Sequence, residues 1–300
     1  MSKIDLPSSI LTILVVLSTI AFGVYYYFDR YSHADQSVVQ HQIQNVEALV
    51  RQNPQNPQLR IAVANYYLEG GMANQAIQQA QEALSINAAD QSAMILLGSA
   101  YKKIGNLDAA IAQFSHVIEL NQSNPMAKID PRLESVNYEL GALYSQQNKL
   151  AEAVAAFKRA LEINQTDADA HYALGVVYQN QSDYAHAATE FKEALRYIPD
   201  FVEAYQGLAI TAGAMGNSAE AQYASAMVAL WQGKPAEAAA QLETLVAQSP
   251  NLKQAYFGLG LANEKLGKRE QAIRAMQEFI KSNPNDIAAQ QALGRISKGN

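Results

Sequence analysis

The chain has 300 residues, 49% of them hydrophobic and 17% charged, with a formal net charge of −6 and no cysteine. That length admits one large core or two domains, and the apolar content excludes disorder along the whole chain. The missing cysteines exclude disulfides, thiolate nucleophiles, Cys-ligated zinc, iron–sulfur clusters and thioether-bound haem, and a net acidic chain lacks the positive field expected of a nucleic-acid binder.

Residues 1–9 read as a short tail, and no charge occurs from Leu6 to Phe28. The block 10–28 (ILTILVVLSTIAFGVYYYF) has the length of a transmembrane helix, since about 20 residues span a ~30 Å hydrocarbon layer. Ile10, Leu14, Leu17 and Phe22 supply its apolar surface. Tyr25, Tyr26 and Tyr27 end it, where an apolar ring with a wet hydroxyl favours the headgroup level. The expectation is a single anchor in contact with lipid. Ala21-Phe22-Gly23 offers the spacing of a signal-peptidase site instead, but Lys3 is the only charged side chain of the right sign ahead of the block. Lys3 opposes Arg30, so the charge count barely orients the segment. The short leading tail and the absent cysteines point to an extracytoplasmic, periplasmic position for the rest, with a cytoplasmic-facing one still open.

Residues 29–56 read as a linker and a capping helix, because Val39, Ile43, Val46 and Val50 form an apolar stripe. Two Asn-Pro turns follow, at Asn53-Pro54 and Asn56-Pro57. Beyond them the chain repeats itself. Leu97-Gly98, Tyr101, Ala110 and Phe114 return as Leu140-Gly141, Tyr144, Ala153 and Phe157, and again as Leu174-Gly175, Tyr178, Ala187 and Phe191. Units start at Pro57, Gln91, Glu134, Ala168, Val202 and Lys253, over 57–286. Position 15 is Gly71, Gly105, Gly216 and Gly267 in four of them, as a left-handed helix terminus requires. Two irregularities interrupt the register. Residues 125–133 (PMAKIDPRL) are inserted as a loop, and an extra helix lies within 202–252, giving helices at about 202–215, 219–232 and 235–249. Trp231, at the end of the middle one, suits either inter-helix packing or a binding anchor. Residues 287–300 read as a C-terminal capping helix resting on Ile287, Leu293 and Ile296.

This pattern resembles the tetratricopeptide repeat. The resemblance implies an all-α fold: after the transmembrane helix, a right-handed solenoid of about six to seven helix pairs. It also implies a concave groove lined by the first helix of each pair at positions 2, 5, 9, 12 and 13. Transferring that frame selects Ile61, Asn65, Ile95, Ser99, Tyr138, Tyr172, Val176, Gln179 and Phe257 as partner-binding residues, with Ile210 also at position 9. Members that clamp a chaperone's terminal carboxylates use Lys at position 5. That position is never basic here, so carboxylate-clamp binding is not expected. Apolar and aromatic residues instead suit an extended or helical peptide segment.

No Ser/His/Asp set, phosphate loop or His-Glu-x-x-His motif occurs, and no His cluster has ligand spacing, so neither a catalytic site nor a cofactor or metal is expected. Charge is uneven, at −2 over 1–129, −8 over 130–250 and +4 over 251–300. The expected function is a non-catalytic, membrane-anchored scaffold that binds a protein partner, as accessory subunit or assembly factor of a membrane complex, without nucleic acid. A narrower alternative is a cytochrome c maturation factor presenting apocytochrome, because VEALVRQNPQNPQLRIAVANYYLEGG looks like the start of anchored repeat proteins of that pathway; a periplasmic chaperone-like role is a further one.

Overall fold

The computed structural model describes residues 34–298, with side chains from residue 38. The expected anchor at 10–28, with its residues Ile10 to Tyr27, lies outside the described residues. Among those described, no helix is long and apolar enough to cross a membrane. The chain forms two compact units that divide after Leu120.

Unit 1 contains α1 (Ala34–Gln52), α2 (Pro57–Glu69), α3 (Ala73–Ile86), α4 (Gln91–Lys103) and α5 (Leu107–Leu120). Ile43 of α1 is 2% exposed, and the Tyr67 hydroxyl of α2 donates to Glu47, so α1 closes the end of the first pair. Asn56 accepts from the N–H groups of Gln58 and Leu59 while Pro57 occupies the first helical position, which is why the second Asn-Pro turn starts α2.

Unit 2 begins with a 3₁₀ turn (Pro125–Ile129) and continues with α6 (Pro131–Gln146), α7 (Leu150–Ile163), α8 (Ala168–Asn180), α9 (Tyr184–Tyr197), α10 (Val202–Ala214), α11 (Ser218–Trp231), α12 (Pro235–Gln248), α13 (Lys253–Lys265), α14 (Arg269–Ser282) and α15 (Ile287–Lys298). The 125–133 segment is therefore part helical. Asp130 caps α6 through the Arg132 N–H and Pro131 takes the first position, so α6 starts three residues ahead of the Glu134 frame. On α15 the buried stripe is Ala289, Ala292 and Ile296, and Ile287 is 69% exposed. Ile287 precedes Ala289 by two residues, about 200° around the helix, so it cannot share that stripe.

Within each pair the two helices approach through small residues. Ala76, Ala110, Ala153, Ala187, Ala238 and Ala272, at one position of α3, α5, α7, α9, α12 and α14, are all fully buried. Opposite glycines a large side chain fills the gap. A Cβ on Gly98 would come within 2.9 Å of Phe114, on Gly141 within 2.7 Å of Phe157, on Gly175 within 2.8 Å of Phe191, and on Gly260 within 2.8 Å of Met276. Phe191 is held from both sides, because a Cβ on Gly207 of α10 would press still closer on its ring. Between paired helices the chain reverses through a left-handed residue: Gly71, Gly105, Gly216, Gly233 and Gly267 have φ from +71° to +80°, and Asn148 and Ser182 have +57° and +59°.

The extra helix α11 is used twice. It follows α10 through the Gly216 turn as a second helix, yet it touches α13 across one helix, as first helices do in α6–α8 and α8–α10. Trp231 packs into the core of unit 2, with the Lys265 ammonium 5.0 Å from its ring centre. This assigns the tryptophan to packing.

Gly207→Ala is expected to cost about 1–3 kcal/mol through overpacking on Phe191. Gly213→Ala, where nothing lies within 4 Å, should instead be neutral or stabilising by up to about 1 kcal/mol, with urea midpoints separating the two. Ser182→Gly removes a left-handed side-chain residue and should raise the midpoint by about 1 kcal/mol in free-energy terms.

Candidate partner-binding face

The first-helix row of unit 2 starts with α6, α8 and α10, which touch one another across the second helices. Asp167 caps α8 by accepting from the N–H groups of Asp169 and Ala170. This fixes the phase of the helix, so that Tyr172, Val176 and Gln179 fall on one face at helical spacing. All three are half-buried, as is Tyr138 of α6. Tyr138 meets Phe157 edge-on, with ring centres 5.5 Å apart. Tyr172 lies against Phe191 at 5.9 Å and Phe201 at 5.0 Å. One side of each tyrosine is thus seated by the stack and the other is left outward. On α10 the same row continues with Ile210, which is 57% exposed.

Acidic side chains border these rings. Burial raises the Tyr138 phenol above its ordinary pKa, and the charges of Asp169, Asp167 and Glu139 add to the shift. Burial also raises Tyr172, with Glu203 next. Glu134, in the first turn of α6, has its carboxyl pushed up to about 7, first by burial and then by the hydrogen bond with Asp167 and the charge of that group. Glu134, Glu203 and Asp169 each stand in the first turn of a first helix, where the macrodipole favours an anion. Glu134 holds the first position of its repeat and Asp169 and Glu203 the second of theirs, and periodicity of apolar residues does not reveal such a border.

The remaining expected residues are dispersed. In unit 1, Ile61 is 7% exposed and belongs to the core, which corrects its assignment to an open groove. Asn65 is exposed, Ile95 is half-buried, and the Ser99 hydroxyl is occupied by the Ile95 carbonyl of its own helix. Phe257 packs against Phe279, 5.2 Å away, in the cluster that seats α15. Tyr138, Tyr172, Val176 and Gln179, joined by Ile210, form the coherent set.

Two histidines serve local structure. His171 Nδ1 is 2.7 Å from Glu190 and its ring stacks on Tyr197. Burial opposes its charge most strongly, and Glu190, the Gln165 carbonyl and Glu193 together outweigh that opposition, leaving its pKa above the ordinary value. His186 pairs with Asp183, the cap of its own helix.

Tetratricopeptide-repeat family profiles match four stretches of the chain, at 91–124, 143–182, 168–201 and 223–287, which together take in more than half of it. No curated protein matches by sequence. Among solved structures, a crystal structure of MamA aligns with a TM-score of 0.54 at 22% identity, covering 60% of this chain and 94% of that one. A tetratricopeptide repeat protein from Parabacteroides merdae aligns with a TM-score of 0.51 at 18% identity, covering 90% of this chain and 97% of that one. At such identities the likeness is one of fold. The helix pairs, their left-handed turns and the matched stretches agree: the chain belongs to the tetratricopeptide-repeat family.

Proposed function

We propose that the protein is a non-catalytic scaffold that binds a partner polypeptide on the face formed by α6, α8 and α10. The observation that carries this reading is the set of outward aromatic and aliphatic side chains, Tyr138, Tyr172, Val176 and the 57% exposed Ile210, bordered by Glu134, Asp169 and Glu203. Rigid tyrosines supply contact area at low entropic cost, and their acidic surroundings favour a segment that alternates apolar with Lys or Arg side chains. The partner is a protein; a basic groove for terminal carboxylates is absent at these positions, and nucleic acid would meet the wrong sign of charge.

The proposal extends to location. The uncharged 10–28 block supports a single-pass anchor that holds the repeats at a membrane, on its extracytoplasmic side, as part of the assembly or upkeep of a membrane complex. The narrower role, presentation of an apocytochrome for haem attachment, rests on the N-terminal sequence pattern alone. Affinity purification from native membranes in mild detergent separates these roles, since apocytochromes would support the narrower one and a stoichiometric membrane complex the broader one.

Ile210→Asp places an anion on the exposed face without touching the core, and should weaken partner retention at least tenfold while thermal stability stays unchanged. Unaltered retention in Ile210→Asp and in the Tyr138→Ala, Tyr172→Ala double variant would rule out this face. The bordering carboxyls add a pH dependence. Above pH of about 7 Glu134 is ionised beside Asp167, and below it the pair holds a proton and has one negative charge fewer. Binding of a basic segment should therefore weaken as pH falls from 8 to 6, and Glu134→Gln should flatten that step in a calorimetric titration.

A further inference from the structure

The fourth residue of a first helix can reach back to the turn that leads into it. Among the described residues, Arg60 donates from Nε to the Pro54 carbonyl at 3.0 Å, and Gln290 from Nε2 to the Pro284 carbonyl, each six positions earlier. His171 makes the same approach, with Nε2 3.2 Å from the Gln165 carbonyl. The second helix of the pair supplies further partners. Arg60 donates to Gln79, nineteen positions on, at 3.1 Å, and to Glu82, twenty-two positions on. At the corresponding positions of α9 stand Glu190, whose Oε2 lies 2.7 Å from His171 Nδ1, and Glu193, whose charge also favours the protonated ring. His171 thus occupies in the α8–α9 pair the place that a permanent cation, Arg60, occupies in the α2–α3 pair.

Both polar partners of the ring are acceptors. A neutral imidazole has one N–H and satisfies only one of them, whereas an imidazolium donates to both. Little water competes for the pair, since the side chains of His171 and Glu190 are 12% and 18% exposed. Asp167 and Asp169 lie at the start of the ring's own helix, and Tyr197 of α9 stacks on it. The nearby cations are already engaged with carboxylates: Arg196 with Glu193 at 3.3 Å, and Lys158 of α7 with the charge of Glu190.

We propose that His171 is a proton-operated latch: protonated, it ties the Gln165 carbonyl of the α7–α8 turn to Glu190 of α9, and deprotonated it holds only one of them and releases the turn. That turn carries Asp167, the cap of α8, so the latch bears on the start of the helix that displays Tyr172. The folded-state pKa lies above the ordinary value of about 6.5, so the stabilisation is complete below that pH and is lost as pH rises through the folded value. Glu134 of α6 meets the same turn through Asp167 and titrates in the same interval, and Glu134→Gln removes it from the measurement. The latch belongs to the free chain and stands whether or not a partner binds the α6–α8–α10 face.

The test uses the full chain with no partner added. It combines nitrogen-15 titration of the imidazole with amide hydrogen exchange, corrected for the intrinsic pH dependence of the rate. In the Glu134→Gln background, protection of the Asp169, Ala170 and His171 amides is expected to fall about three- to tenfold from pH of about 6 to about 9, the worth of one hydrogen bond. The Ala93 and Met94 amides, behind the Asp90 cap of α4, should stay level, because the fourth residue there is Met94. His171→Arg, the residue that α2 uses, should keep the protection and lose the pH step. His171→Phe should give the low protection at both pH values. An imidazole pKa at or below about 6.5, an equal step in His171→Arg, or full protection at low pH in His171→Phe would each overturn the latch.

Discussion

The stack depends on aromatic rings pressed against backbone that lacks a Cβ. Phe191 is the clearest instance, fully buried with Gly175 of its own pair on one side and Gly207 of the next helix on the other. Dispersion falls steeply with separation, so a ring in contact on both faces fixes the spacing of α8, α9 and α10 more sharply than a flexible aliphatic would. The same positions show the rule by exchange. Where glycine gives way to Ala64 or Ala226, the facing position is no longer Phe but Ala80 or Leu242. The Ala226–Leu242 crossing keeps a volume similar to that of a Gly–Phe pair, whereas the Ala64–Ala80 crossing is filled by two small side chains.

That packing also sets the candidate face. Tyr172 rests on Phe191 and Phe201, and Tyr138 on Phe157, so the rings that position each pair also aim the outward tyrosines. A partner would meet side chains whose rotamers are already fixed from behind, which reduces the entropy lost on binding. Farther on, α11 closes one pair and opens the next, and the first-helix row passes to α11, α13 and α15. The change from the acidic stretch to the basic one comes later, at the start of α13, so the last helices of unit 2 carry a different net charge from those before them.

Much of this architecture was legible beforehand because the repeat marks its own turns and crossings. Glycines at position 15 and prolines between pairs located the helix ends, and five glycines do sit in left-handed turns. Outward orientation was less legible. Ile61, Tyr138 and Phe257 occupy one frame position, yet Ile61 is buried, Tyr138 is half-open and Phe257 braces the last helix. Their fates differ with what precedes and follows each pair, which a frame cannot encode. The acidic border belongs to helix termini, where charge follows the dipole and leaves no periodic trace.

The turns of Asn148 and Ser182 have a consequence for where the stack opens. In a repeat array each pair is held mainly by its neighbours, so opening free energies vary along the chain with local strain. These two residues bear left-handed backbone without being glycine, and they join the helix pairs that display Tyr138 and Tyr172. Amide exchange through local opening should be faster in those two pairs than in neighbours with glycine turns. A ligand seated there would tighten the stretch of the array that its own turns hold least firmly.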